Sequence, residues 1–123
     1  MTTLNDRADT LKSIQGQLRR FAARRDWDRF HSPKNLCMAL AAEVGELTEH
    51  FQWLTEEAST NLLPGSRTRV AEEVADILIY LVRLADKLNI DVAQAVKRKI
   101  RINAIKYPVA RAKGSSRKYS DSE

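Results

Sequence analysis

Apolar side chains recur at spacings of three and four along most of the chain, the pattern of amphipathic α-helices. Leu4, Ala8, Leu11, Ile14, Leu18, Phe21 and Ala22 form the first stripe and predict a helix from roughly Leu4 to Arg25. A connector, DWDRFHSP, follows, in which Ser32 and Pro33 read as an N-cap with proline at the first helical position. The second stripe, Leu36, Leu40, Val44, Leu47, Phe51 and Leu54, predicts a helix that fades near Glu57. ASTNLLPGS reads as a loop, with Ser66 placed to cap a third helix that runs to about Leu88. That helix contains ILIYLV at 77–82, apolar around its whole circumference, and such a helix is normally buried on every side. One short protomer can hardly bury it, so an oligomer is expected. Asn89 closes this helix, Asp91 caps the next, and Val92 to Lys106 form a fourth helix that Pro108 stops. The expected architecture is all-α, a four-helix bundle-like protomer: one catalytic domain over 1–108 and a basic, polar tail over 109–123 that should be disordered alone.

Composition narrows the function classes. At 123 residues, 43% hydrophobic and 30% charged, the chain has room for one domain and the makeup of a soluble globular protein. No apolar run approaches the ~18–20 residues that span a bilayer, and the first residues lack the apolar core of a secretory signal. A cytoplasmic protein is expected. The single Cys37 rules out an intrachain disulfide and reads as a buried thiol. The net charge of +5 resolves into three zones: +4 over residues 1–35, −6 over 36–96 and +7 over 97–123. An acidic middle between basic ends argues against the continuous positive face of a phosphate-backbone binder. It suits a protein that holds a cation and a polyphosphate together.

The acidic middle is itself ordered. At ~100° per residue, Glu43 and Glu46 flank the apolar stripe of the second helix. Glu73 and Asp76 stand at the same offsets from the stripe of the third. A shift of thirty residues superposes Glu43 on Glu73, Glu46 on Asp76 and His50 on Tyr80. If the helices pack through these stripes, four carboxylates converge and need a cation to neutralise them. All-oxygen ligation selects Mg²⁺, Mn²⁺ or Ca²⁺. A di-iron site would need Glu-x-x-His motifs, which neither half has. Glu49, Glu56, Glu57 and Glu72 point away and read as solvated surface.

E43-x-x-E46 followed by E73-x-x-D76 resembles the signature of the MazG-like all-α NTP pyrophosphohydrolases. FHSPKNL, EVGELTEHFQW, EEVADILIYLV, KIRINAIKYPV and SSRKY, spread from Phe21 to Tyr119, are together similar to the dCTP pyrophosphatase branch. The resemblance implies a Mg²⁺-dependent hydrolase, with Mn²⁺ as a substitute, that cuts a nucleoside triphosphate between its α and β phosphates. It also implies a homotetramer, a dimer of dimers, with no stable nucleic-acid partner. Leu18 stands where that branch often has a base-contacting His, a departure that weakens the case for cytosine.

The same four carboxylates would orient a water for attack on phosphorus, and Glu46 is the preferred general base. Lys99, Asn103 and Lys106, at spacings of four and three, share a face of the fourth helix and form a candidate phosphate clamp. The resemblance matches Lys99 and Asn103 to a substrate-binding KxxxN motif; apart from it, Arg117 and Lys118 form a weaker candidate phosphate pair that would reach from another subunit. Among only eight aromatic residues, Trp27, Trp53 and Tyr80 are the candidates for contact with the base. Trp53 follows His50 along the carboxylate side, and Trp27 matches a base-stacking Trp in the similar branch. His31 and His50 read as structural. The alternatives are a non-enzymatic helical module binding nucleic acid, or a related phosphohydrolase acting on dUTP or phosphoribosyl-ATP.

Overall fold

The computed structural model describes residues 10–118, and these are helical with no strand among them. The helices are α1 (Leu11–Arg24), α2 (Pro33–Glu49), α3 (Glu56–Thr60), α4 (Pro64–Lys87), α5 (Val92–Lys106) and α6 (Val109–Ala112). A 3₁₀ turn, Asp28–Phe30, sits between α1 and α2. None of these helices is long and apolar enough to cross a membrane. The chain divides into two compact units, one ending at Ile90 and one beginning at Asp91.

Several helix boundaries follow directly from local chemistry. Ser32 Oγ accepts the Asn35 amide at 3.1 Å with Pro33 behind it, and Asp91 Oδ1 accepts the Gln94 amide at 3.0 Å. Both caps stand where the sequence places them, and α5 has the expected bounds. Asn89 reverses the chain after α4 with φ of 55°, a left-handed conformation that asparagine tolerates better than most residues.

Four boundaries differ from expectation. The first helix begins after Thr10, which is extended and accepts the Ser13 amide; Leu4 and Ala8 lie outside the described residues. The second helix stops at Glu49 because a new one starts so soon. Thr55 Oγ1 accepts the Ala58 amide, and Glu56 and Glu57 fill a first turn where negative charge is favoured. Part of the expected ASTNLLPGS loop is therefore helical. Leu63, not Ser66, is the N-cap of α4, with Pro64 taking the first helical position. Past Pro108, the stretch expected to lack structure forms the single turn α6.

Within the first unit α4 is the spine, packing along α2 and against α1. Side-chain pairs run in opposite order on α2 and α4. Arg83 meets His31 just before α2, and Glu73 approaches His50 just after it, so the two helices are antiparallel. Leu36, Ala22, Val82 and Ala85 form the buried core. Beside them lies a buried cation: Arg83 is only 4% exposed. Its guanidinium donates to Asp28 at 2.7 Å and to Asp86 at 3.4 Å, and its Nε donates to His31 Nδ1 at 3.4 Å. Arg19 from α1 donates to Asp86 at 2.7 Å, and Lys87 reaches Asp28 at 2.7 Å. This network ties α1, the 3₁₀ turn and the end of α4 together.

The Arg19 bond, with the nearby positive charges, holds the Asp86 carboxyl below its ordinary value against the opposing effect of burial. The stability it contributes is complete above the unfolded carboxylate pKa of about 3.9 and is lost as pH falls through the lower folded value. Asp86→Asn leaves Arg83 short of a partner and should cost about 3 kcal/mol at pH 7. Urea melts should show that deficit at pH 7 and a narrowed gap at pH 3.

Candidate metal centre and its surroundings

The antiparallel pairing of α2 and α4 turns the thirty-residue repeat into a facing pair of acidic motifs. Glu43, Glu73 and Asp76 each present a carboxylate oxygen within 4.8 Å of the others. Glu43 and Glu73 are half-buried, and the Oε2 atom of each is shielded from water with no hydrogen-bond partner. Buried carboxylate oxygens are costly to leave unpaired. An oxygen-only donor set with two such orphans fits a hard divalent cation.

The electrostatics agree. The Glu43 carboxyl is pushed up to about 7, first by Glu73, a partner only for its protonated form, then by burial and by the charges of Glu46 and Asp76. Glu73 is drawn down by Glu43, but burial together with Glu46 and Asp76 outweighs this and leaves it above the ordinary value. Both shifts favour the protonated carboxyls, and a bound cation would favour the ionised ones.

The fourth expected carboxylate is placed differently. Glu46 is exposed, and it stands outside the three-oxygen cluster while remaining close enough to act on both Glu43 and Glu73. His50 joins the site at the end of α2, with Nε2 3.9 Å from Glu73 Oε1. This places it beside the carboxylates, whereas the sequence pattern reads it as structural. Its position four residues after Glu46 was the available signal. His31 is structural, accepting from Arg83; burial and that cation lower its basicity.

The aromatic candidates are dispersed. Tyr80 is half-buried on α4, one turn beyond Asp76. Trp27 packs edge-on against Phe21 at 5.7 Å and His31 at 6.4 Å, with nearly half its surface open. Trp53 does not continue the carboxylate face of a helix, because α2 has already ended; it lies in the following turn, 87% exposed. Cys37 is exposed and not the buried thiol expected. Lys99, Asn103 and Lys106 belong to α5 in the second unit, where Lys99 and Lys106 line separate concavities. Arg117 and Lys118 are exposed in the same unit.

The sequence profile of the MazG-like family matches residues 38–121, a stretch that contains all four acids of the paired motifs. The chain belongs to this MazG-like family. Among curated relatives, dCTP pyrophosphatase 1 from Homo sapiens and from Mus musculus are each 46% identical over 114 residues, covering 91% of this chain and 67% of theirs. The Bos taurus protein of the same name is 46% identical over the same length and is covered to 68%. A crystal structure of a pyrophosphatase from Archaeoglobus fulgidus superposes with a TM-score of 0.74. It is 41% identical, and the match covers 79% of this chain and 91% of that one. The MazG-like chain thus shares its helical fold with a pyrophosphatase.

Because the folded pKa of Glu43 lies above the unfolded value of about 4.3, the folded state binds this proton more tightly. Chelated protein should lose stability as pH rises from about 4.3 to about 7, and Glu43→Gln should flatten that slope. Thermal melts with EDTA or with Mg²⁺ or Mn²⁺ will measure it. The cation should raise the melting temperature more at pH 8 than at pH 5, by an amount equivalent to about 2.7 kcal/mol at a hundredfold excess over its dissociation constant.

Proposed function

We propose that this MazG-like protein hydrolyses dCTP or a modified dCTP between the α and β phosphates, giving the monophosphate and pyrophosphate in nucleotide-pool sanitation. The convergence of Glu43, Glu73 and Asp76 around two unpartnered oxygens carries the reading. The names borne by its relatives supply the substrate. Its class, a nucleoside triphosphate pyrophosphohydrolase, follows from relatives at 46% identity and from the family.

Glu43, Glu73 and Asp76 would hold Mg²⁺, with Mn²⁺ as a substitute and Glu46 completing the acidic set. Once bound, the ion offsets triphosphate charge and makes the α phosphorus more electrophilic. Glu46, outside the tight cluster, accepts a proton from the attacking water. The water oxygen bonds to the α phosphorus, and the bond to the bridging oxygen breaks. Pyrophosphate leaves with the electron pair. The resemblance gives Lys99 and Asn103 to the substrate, with Lys106 beside them as a phosphate contact, and Trp27, Trp53 and Tyr80 are the aromatic candidates for the base. Arg117 and Lys118 add charge from the tail.

We also assign a homotetrameric, cytoplasmic assembly. Leu78, Ile79 and Leu81 on α4 are each more than a third exposed in the single chain, as is Val74. Buried sides of this helix alternate with these, which leaves an apolar face for another protomer.

With Mg²⁺ and a panel of dCTP, 5-modified dCTP, dUTP and dTTP, pyrophosphate release should be fastest with a cytosine nucleotide. Glu73→Gln should reduce turnover more than about 100-fold, beyond the usual effect of changing an outer-sphere partner, with helical circular dichroism unchanged. No pyrophosphate from any triphosphate would overturn the enzymatic reading. Sedimentation equilibrium should return four times the protomer mass, and Leu81→Glu should lower it.

A further inference from the structure

The turn that carries Trp27 is pinned on both sides by one buried guanidinium. At Asp28, Arg83 donates to Oδ1 at 2.7 Å, and Lys87 Nζ reaches the same oxygen at 2.7 Å. At His31, Arg83 Nε donates to Nδ1 at 3.4 Å. The backbone closes the turn, with the Phe30 amide on Trp27 O at 2.8 Å and the His31 amide on Asp28 O at 3.1 Å. The Trp27 ring stands edge-on between Phe21 of α1 and the His31 imidazole.

The bond to Nδ1 decides the chemistry of that imidazole. A guanidinium has hydrogens to give and no lone pair with which to accept, so Nδ1 keeps its lone pair and the neutral ring carries its hydrogen on Nε2. The next proton has only Nδ1 to go to. There it would set one N–H against another and place a second positive charge beside the first, so the charged ring and this hydrogen bond exclude each other. Arg83 is not the partner that yields, being 4% exposed and held also by Asp28 and Asp86. His31 is half-buried and closes the 3₁₀ turn, so its ring has a way out to water.

The charges around the ring come from three elements. Arg83 and Lys87 of α4 oppose a proton on it, and Asp28 of its own turn favours one. Asp86 of α4 and Arg19 of α1 pair with each other beyond the guanidinium. Burial first, then Arg83, prevail over Asp28 and hold the ring below its ordinary value.

We infer that His31 is a positioning residue for Trp27, closing the turn on Arg83 when neutral and releasing it when Nδ1 takes a proton. The indole then loses the wall it packs against. The effect on substrate rests on the proposed contact of Trp27 with the base, whereas the movement itself needs neither nucleotide nor metal.

Nitrogen NMR of the full chain should show His31 as the Nε2–H tautomer, with a midpoint below the ordinary histidine value of about 6.5. Trp53→Phe leaves Trp27 as the one tryptophan, and acrylamide should gain access to its fluorescence as pH falls through the same midpoint. His31→Gln, whose amide oxygen accepts from Arg83 Nε without titrating, should abolish that change. An Nδ1–H tautomer would overturn the inference. So would an equal gain of acrylamide access in His31→Gln, which would leave Asp28 or Asp86 as the titrating group. In turnover of dCTP, the ratio of wild-type to His31→Gln KM should grow about threefold or more between pH 7.5 and pH 5. The kcat ratio should stay constant, because the carboxylate site titrates alike in both. A flat KM ratio while Trp27 moves would overturn the positioning role and leave the hydrolase reading to the pyrophosphate assay.

Discussion

Carboxylates held within 4.8 Å of one another cannot all stay ionised without a counter-charge, and the first unit is organised around that constraint. An isolated helix would solvate its acids and separate them. Here α2 and α4 pack against each other, and that contact brings Glu43 together with Glu73 and Asp76. The repulsion within the cluster is relieved either by protonation, which the raised carboxyl pKa values favour, or by a divalent cation. That choice couples metal affinity to pH at a single place in the molecule.

The opposite end of the same helix pair carries the complementary arrangement. Arg83 is a buried cation surrounded by Asp28, Asp86 and His31. Acids facing one another at one end and acids around a guanidinium at the other give α4 two different uses of the same charge chemistry. The guanidinium is covalently part of the chain, so this end is satisfied by folding alone. It anchors the 3₁₀ turn next to Trp27, whose ring is thereby held against Phe21 and His31 in place of swinging with a free loop.

Much of this was readable from residue order. Ser32 with Pro33 and Asp91 mark helix starts by a mechanism that depends on one side chain and one amide, so local sequence suffices. The equal phase of Glu43 with Glu73 and of Glu46 with Asp76 follows from helical geometry and the apolar stripes alone. What escaped depends on contacts distant in sequence. Arg83 and Asp86 stand three residues apart on one helix, but only the fold brings Asp28 to the guanidinium. The stop after Glu49 was partly legible, since Thr55 before two glutamates is a cap signal, but the continuing apolar spacing at Phe51 and Leu54 concealed it. The placement of Glu46 outside the cluster reflects how α4 lies along α2, which no periodicity encodes.

Both acidic helices begin with a proline at the first helical position, Pro33 in α2 and Pro64 in α4. Glu43 lies ten residues beyond its proline and Glu73 nine, roughly 15 Å and 13.5 Å along the axis. The azimuth of each acid is therefore counted from its own proline and not from the segment joining the helices. Residues 50–63 act as a tether: they set how far apart the two helices can be in sequence without rotating either. Insertions or deletions there leave the facing acids in phase, whereas a single added residue between Pro64 and Glu73 would swing Glu73 by ~100°. The tether therefore tolerates changes of length that the helices, where each residue fixes an azimuth, do not.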